Sequence, residues 1–247
     1  MSMEIDESLV RDSLYNWLGY GNLNGKYWFI GREESTTLSE CEKLETRSDL
    51  LEARRSFGVA VDFRNAWEDA FGRPLSPFTN NPTWRYQVAF LFAFNNTPIT
   101  TSAITRHLYE DAEFGRSFSN HFSGEFFPLP KKSKETIKPY DHIWSSPEEY
   151  KYEVIPGRTD LLLETLQKNP DVDWLITYSS DCATALREAR PTDAVDTWDA
   201  ANKGTYTLYD LYIEDRVIGL LETPFLGYGH VGYEGIDALV DEIRDRY

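Results

Sequence analysis

Three segments of the chain carry residues that could do chemistry, each beside a run of apolar residues. The first is Gly31-Arg32-Glu33-Glu34-Ser35, where two adjacent carboxylates could hold a metal ion or activate water. Acidic residues are also common in the first turn of a helix, where they complement the helix dipole. The sequence leaves both interpretations open, a site and the start of a helix.

The second segment is the aromatic run FSGEFFPLP at 122–130, in which Glu125 is the single charged residue. Burying a carboxylate costs free energy unless it is paired or binds something. Glu125 is therefore a candidate ligand-binding residue. The alternative is a glutamate at the solvent edge of a strand.

The third segment is ETPFLGYGHVGY at 222–233, with three glycines, three aromatic residues and His230. Loops that combine glycine, aromatic side chains and histidine are frequent at functional sites. An ordinary glycine-rich turn has the same composition, and a single histidine is more often structural than catalytic. We favour a functional loop.

Several common signatures are absent from the sequence. It contains no G-x-x-x-x-G-K-[ST], no G-x-S-x-G, no G-x-G-x-x-G after a strand and no Cys/His spacing typical of a metal site. The usual signatures of nucleotide hydrolysis and serine hydrolysis are therefore missing. We expect neither a metal nor a cofactor.

Composition indicates a folded protein. The chain has 247 residues, of which 41% are hydrophobic and 15% aromatic, which excludes disorder and is enough for one domain spanning 1–247. No apolar run approaches the ~20 residues of a membrane span, and the N-terminus is acidic where a signal peptide is basic. We expect a cytoplasmic protein with no membrane partner. The net charge of -16 repels phosphate at long range, so DNA binding would need a local groove.

Hydrophobic patterns predict alternating helices and strands. The predicted strands are 26–31, 173–180, 204–215 and 216–225. The predicted helices are 6–18, 32–57, 63–72, 84–98, 159–169, 181–189 and 234–247. Segment 74–82 is predicted as a loop, and 110–158 as irregular because of its prolines. The alternation predicts a single three-layer α/β/α sandwich with a mainly parallel central sheet. Such sheets bind ligands at the carboxyl ends of their strands, where the three segments would meet.

Taken in order, the three segments resemble the uracil-DNA glycosylase superfamily, whose fold is a three-layer α/β/α sandwich. In that superfamily the first strand ends in G-Q-D-P-Y or G-M-N-P-G, so Glu33 occupies the position that orients or activates water. The central N-L-C-P-L of the single-strand-selective branch is similar to EFFPL at 125–129, which places Glu125 on the base-reading Asn. The last strand leads to H-P-S, where this chain has Thr223-Pro224-Phe225, with His230 a few residues on.

The resemblance implies roles for further residues. The stacking aromatic would be Phe78 or Trp84, and Phe225, Leu226 or Tyr228 would wedge into the DNA stack. His230, or a backbone N–H of 223–229, would stabilise the departing base, and Gly31 would lie against it. The expected phosphate contacts are Arg32, Lys131, Lys132 and Lys134.

The departures from the family pattern point to a different base. An Asn amide both donates and accepts, which suits uracil, whereas a carboxylate only accepts. Glu125 could accept from the exocyclic amine of cytosine, as Glu and Asp do in DNA grooves. The sequence therefore predicts a DNA glycosylase that flips a base and hydrolyses its N-glycosidic bond, acting on a modified cytosine such as a hypermodified phage base, in antiviral defence.

Three alternatives remain open. The chain could be a catalytically silent member that binds a nucleic acid, a nucleotide or a protein partner. It could be a uracil-type repair enzyme. A weaker alternative is metal-dependent phosphodiester hydrolysis by Glu33, Glu34 and Glu125.

Overall fold

The computed structural model describes residues 4–35, 44–70, 72, 81–131, 135–200, 203–227 and 229–247, with the backbone alone at 34–35 and 44–47. The helices are α1 (Glu7–Asn16), α2 (Leu44–Phe57), α3 (Pro82–Phe94), α4 (Thr101–Thr105), α5 (Pro147–Lys168), α6 (Ser180–Ala189) and α7 (Tyr233–Ile243). Two short π-helical segments are Asn65–Ala70 and Arg106–Glu110. The strands are β1 (Gly19–Gly21), β2 (Tyr27–Ser35), β3 (Ala60–Val61), β4 (His121–Lys131), β5 (Trp174–Thr177), β6 (Thr192–Asp199), β7 (Thr205–Ile213) and β8 (Arg216–Glu222).

One sheet contains all eight of these strands, in the order β3-β1-β4-β2-β5-β8-β7-β6. The four central strands, β4, β2, β5 and β8, run parallel to one another. Antiparallel pairs occur towards the edges, between β1 and β4, β7 and β8, and β6 and β7.

Helices cover both faces of the sheet because its central strands are apolar on both sides. Alternate residues of β2 face opposite layers: Trp28 and Ile30 pack with α1, α5 and α6, whereas Tyr27 and Phe29 pack with α3 and α7. The prediction of a three-layer α/β/α sandwich with a mainly parallel sheet is confirmed. None of the described helices combines the length and apolar character needed to cross a membrane.

Several helices begin with a polar residue whose side chain caps the first turn. The side chains of Asp6, Asn81, Ser146 and Ser179 each accept a backbone N–H in the first turn of α1, α3, α5 and α6. Pro82 and Pro147 stand in the first turn of α3 and α5, where a missing N–H costs no hydrogen bond.

The prediction that 110–158 is irregular is wrong. This range contains the eleven residues of β4 and the beginning of α5. Pro128 and Pro130 fall where the β2–β4 register shifts, between the pairs Glu33–Phe127 and Ser35–Lys131, so neither has to donate to a regular ladder. Pro156 lies inside α5, although the sequence predicted a helix only from residue 159.

Other boundaries also differ from prediction. Residues 32–35 extend β2 and are not helical, because they continue to pair with β4. Strands β1, β3 and β6 were not predicted. Residues 36–43 of the predicted helix at 32–57 and residues 74–80 of the predicted loop at 74–82 lie outside the described residues.

Arg158 on α5 connects three elements. This fully buried side chain donates Nε–H to Phe126 O at 2.9 Å and an Nη2–H to Glu125 O at 2.9 Å. Its Nη1 donates to Trp17 O at 2.6 Å and to Leu14 O. Burial lowers the pKa of Arg158 to about 10. These bonds join the end of α1 to β4. The contact on β4 comes directly after Gly124, the last residue of β4 that pairs with β1.

We predict that Arg158→Met lowers the free energy of unfolding by about 3 kcal/mol or more, because it leaves buried carbonyls without donors. Arg106→Met is the matched control, since Arg106 is exposed and its ion pair among the described residues is with Glu110 at 3.6 Å, a contact worth about 0.5 kcal/mol. Urea unfolding of both variants measures the effect. Equal stability of the two variants would contradict the role given to Arg158.

Candidate functional site

The predicted segments meet at the carboxyl edge of the parallel strands. Gly31 and Glu33 lie in the second half of β2, Glu125 is the register partner of Gly31 on β4, and Thr223 directly follows β8. Among the four central strands, β2 is followed in the chain by β4, which lies beside it on one side. β5 is followed by β8, which lies beside it on the opposite side. The carboxyl edge between β2 and β5 is therefore the topological switch point, the place where open α/β sheets bind ligands.

Glu125 packs against the backbone of Gly31. A Cβ built on Gly31 would overlap Glu125 Oε2 and would lie 2.5 Å from the hydroxyl oxygen of Tyr178, the residue after β5. Glycine at position 31 thus lets a carboxylate from β4 and a phenol hydroxyl from the end of β5 meet over β2.

Gln87 of α3 completes this group. Its side chain is 0% exposed, and its Nε2 donates to Tyr178 Oη at 3.1 Å. Burial, followed by the nearby charge of Glu125, raises the pKa of Tyr178 well above its usual range, so the phenol stays protonated. We call Gly31, Gln87, Glu125 and Tyr178 the Glu125 cluster.

Glu33 has a different environment. Its Oε2 lies 2.9 Å from Nζ of Lys131, and the two side chains are 16% and 3% exposed. The ammonium of Lys131 also lies 5.4 Å from the ring centre of Tyr150 on α5 and donates to Thr136 O at 3.4 Å. We call Glu33 and Lys131 the Glu33 pair. A lysine this buried binds Glu33, and its position does not support the predicted contact with DNA phosphates.

Arg32 lies at the same edge, beside the start of α6. One of its Nη atoms is 3.4 Å from Asp181 Oδ2, which also accepts from Lys151 at 3.0 Å. The Nε of Arg32 is buried and has no hydrogen-bond partner among the described residues. Arg32 is therefore partly neutralised by Asp181, while its guanidinium remains 29% exposed.

The loop after β8 lies beside the Glu125 cluster. Phe225 is 40% exposed, and its ring centre is 6.2 Å from that of Tyr178 and 6.5 Å from that of His230. Thr223 is anchored, since its N–H donates to Thr177 O at 2.8 Å and its hydroxyl to Pro224 O at 2.9 Å. The structure thus brings Phe225 to the cluster directly and His230 through Phe225.

The other predicted residues are not placed at this cluster. Trp84 packs in a separate aromatic group, 4.8 Å from Phe63 and 5.7 Å from Phe114 between ring centres. Four predicted residues lie outside the described part of the chain: Phe78, Lys132, Lys134 and Tyr228. The side chain of Glu34 is not described either.

Sequence reasoning missed Tyr178 and Gln87. The polar Tyr178-Ser179-Ser180 at the end of a buried strand was the available signal for the first. Gln87 stands as the single amide in the apolar run of α3, which is the signal for a buried polar contact.

No group of three or more His, Cys, Asp or Glu residues that could hold a metal ion occurs in the described ranges. No family model, curated protein or solved structure matches the chain. Inferences about function therefore depend on the geometry of the Glu125 cluster and the Glu33 pair.

We predict that Gly31→Ala lowers the free energy of unfolding by about 1–3 kcal/mol, the usual cost of overpacking. The cost should be smaller when Glu125→Ala is also present, because the overlapping carboxylate is then gone. Gly232→Ala is the control, since no atom lies within 4 Å of its added Cβ and its φ is -131°. A Gly31→Ala cost that is the same with and without Glu125 would contradict the contact.

Proposed function

We propose that the chain is a cytoplasmic, monofunctional DNA glycosylase, which flips a base into the crevice between β2 and β5 and hydrolyses its N-glycosidic bond. The observation that supports this most is the meeting of the Glu125 carboxylate and the Tyr178 hydroxyl over Gly31 at the switch point of the sheet. Two polar groups held by buried packing can recognise the edge of a flat ring in one orientation.

Glu33 is the proposed residue that acts on water. In this reaction the water oxygen bonds to C1′ of the sugar and loses a proton to solvent, while the bond from C1′ to the base breaks. The base leaves with the bonding electrons and takes up a proton from solvent, so it is released neutral. The transition state has positive charge on the sugar. The carboxylate of Glu33 is held 2.9 Å from the ammonium of Lys131, a position from which it would orient the water and stabilise that charge.

The residues of the 223–232 loop are proposed to act on the base and the DNA. His230, or a backbone N–H of the loop, would stabilise the anionic base as it leaves. The exposed ring of Phe225 would occupy the space that the flipped base vacates. Arg32 would contact a phosphate at the rim of the crevice.

Cytosine and its modified forms are the proposed bases. A carboxylate accepts hydrogen bonds and does not donate them, and cytosine presents an exocyclic amine where uracil presents a carbonyl. Excision of ordinary cytosine would damage the host genome. A modified cytosine of foreign DNA is therefore the proposed substrate, with defence against phage as the role.

A catalytically silent, nucleotide-binding protein is the second candidate function. The observation that favours it is the hydroxyl of Thr223, which donates to Pro224 O and stands where the similar family has a catalytic histidine. Both candidates use the same crevice. Release of a free base from DNA separates them.

We predict that Glu33→Gln reduces base release about 10²–10⁴-fold, the usual contribution of a group of this kind. It also leaves the buried ammonium of Lys131 without its counter-charge, which is destabilising. The double variant Glu33→Gln with Lys131→Met should therefore unfold at a higher temperature than Glu33→Gln and remain as inactive.

Mass spectrometry of released bases, below the unfolding temperature of every variant, gives the rates. Normal base release by the double variant would remove Glu33 from the mechanism. Chelator should leave the wild-type rate unchanged, whereas loss of activity with strand nicking would favour a metal-dependent phosphodiesterase.

We predict that the wild type releases a cytosine-type base from a panel of modified DNAs and leaves uracil in place. Glu125→Asn should reduce release of that base about 10- to 100-fold, because an amide hydrogen then faces the amine. Glu125→Gln has the original length and tests the chemistry apart from the reach of the side chain. Efficient uracil release by the wild type would show that Glu125 does not read the base.

A further inference from the structure

The hydrogen bond from Gln87 leaves the Tyr178 proton available for another partner. The hydroxyl oxygen of Tyr178 accepts from Gln87 Nε2 at 3.1 Å, so the O–H bond points away from Gln87. The backbone of Gly31 and Oε2 of Glu125 also lie close to this oxygen, since a Cβ built on Gly31 would be 2.5 Å from the hydroxyl and would overlap Oε2. Tyr178 therefore presents a donor to the place where Glu125 presents an acceptor.

Gln87 supplies an independent sign that the cluster binds something. The side chain is 0% exposed, and its Oε1 has no hydrogen-bond partner among the described residues. In either orientation of the amide, one of its two polar atoms is buried without a partner among the described residues. A buried polar atom without a partner is costly in a core and is often explained by a ligand or by catalysis.

We propose that Tyr178 is a specificity-determining residue and that Gln87 positions it. Glu125 accepts a hydrogen bond from the amine of the base, and Tyr178 donates one to the ring nitrogen next to that amine. This inference rests on the proposed function and names its substrate class. The class is a base with an amino group next to an unprotonated ring nitrogen. Cytosine and 5-substituted cytosines have this edge, and uracil in the same pose presents a carbonyl and an N–H.

Adenine has the same pair of groups on a larger ring. Cytosine and adenine share the recognised chemistry, and a binding experiment distinguishes them. We commit to cytosine, the base that the proposed function names, and adenine is an outcome of the test.

The experiment is calorimetric titration of the full chain with four free bases: cytosine, 5-hydroxymethylcytosine, uracil and adenine. The variants are Tyr178→Phe, Gln87→Met and the control Tyr206→Phe. Tyr206 is 2% exposed, and its hydroxyl has no partner among the described residues, so its removal deletes a buried phenol oxygen elsewhere in the same layer. Thermal unfolding establishes that each variant is folded.

We expect the wild type to bind a cytosine-type base at least about tenfold more tightly than uracil. Tyr178→Phe should weaken cytosine binding about 10- to 100-fold and reduce the preference over uracil. Gln87→Met should reduce the same preference, a ratio that a purely structural loss would not change. Tyr206→Phe should retain both affinity and preference.

The inference is overturned if the wild type binds none of the four bases, binds uracil or adenine as tightly as cytosine, or keeps its preference in Tyr178→Phe. Its failure differs from failure of the proposed function. If the protein shows the expected preference but releases no base from DNA, the role of Tyr178 in base recognition stands and the glycosylase proposal is wrong.

Discussion

The position of the candidate site depends on the buried guanidinium of Arg158. Where β4 no longer pairs with β1, Arg158 supplies donors to Glu125 O and Phe126 O in place of a neighbouring strand. The same group binds carbonyls at the end of α1. Its positive charge is thus stabilised by several carbonyl dipoles at once, which is how a buried cation remains charged although burial lowers its pKa to about 10. Because one of these carbonyls belongs to Glu125, the hydrogen bond from Arg158 also fixes the backbone position from which the Glu125 side chain extends.

The remaining contacts then determine where each carboxylate can point. Gly31 lets the side chain of Glu125 lie against β2. Glu33 lies on β2 two residues after Gly31, and its carboxylate is bound by Lys131 of β4. Some of the cationic side chains are buried: Arg158, Arg54 and Lys131 are at most 3% exposed. In a chain with 25 basic and 41 acidic residues, this internal use makes the surface more acidic still. DNA binding therefore requires the local crevice, since the overall field opposes it.

The fold could be predicted where local pattern determines it. The apolar runs at Tyr27–Ile30 and Trp174–Thr177 are strands because both faces of the central sheet are buried, and Gly31 and Glu125 were found through their positions near such runs. The sequence could not predict β4 as a strand, since its prolines are tolerated only because the register shifts there. Nor could it show that Gln87 and Tyr178 bond, because they are 91 residues apart and meet only through the packing of α3 on the sheet.

The two environments at the carboxyl edge limit the chemistry of the proposed reaction. Glu33 is held in an ion pair with Lys131 at 2.9 Å, so in the proposed reaction its carboxylate has a fixed position from which to orient water and face the positive charge on the sugar. Thr223 cannot replace a histidine in stabilising the departing base, since its hydroxyl donates to Pro224 O. Most of the stabilisation of the leaving group must then come from the 223–232 loop or from the base itself. If the proposed function holds, a modified base whose substituent withdraws electrons would leave more easily than ordinary cytosine.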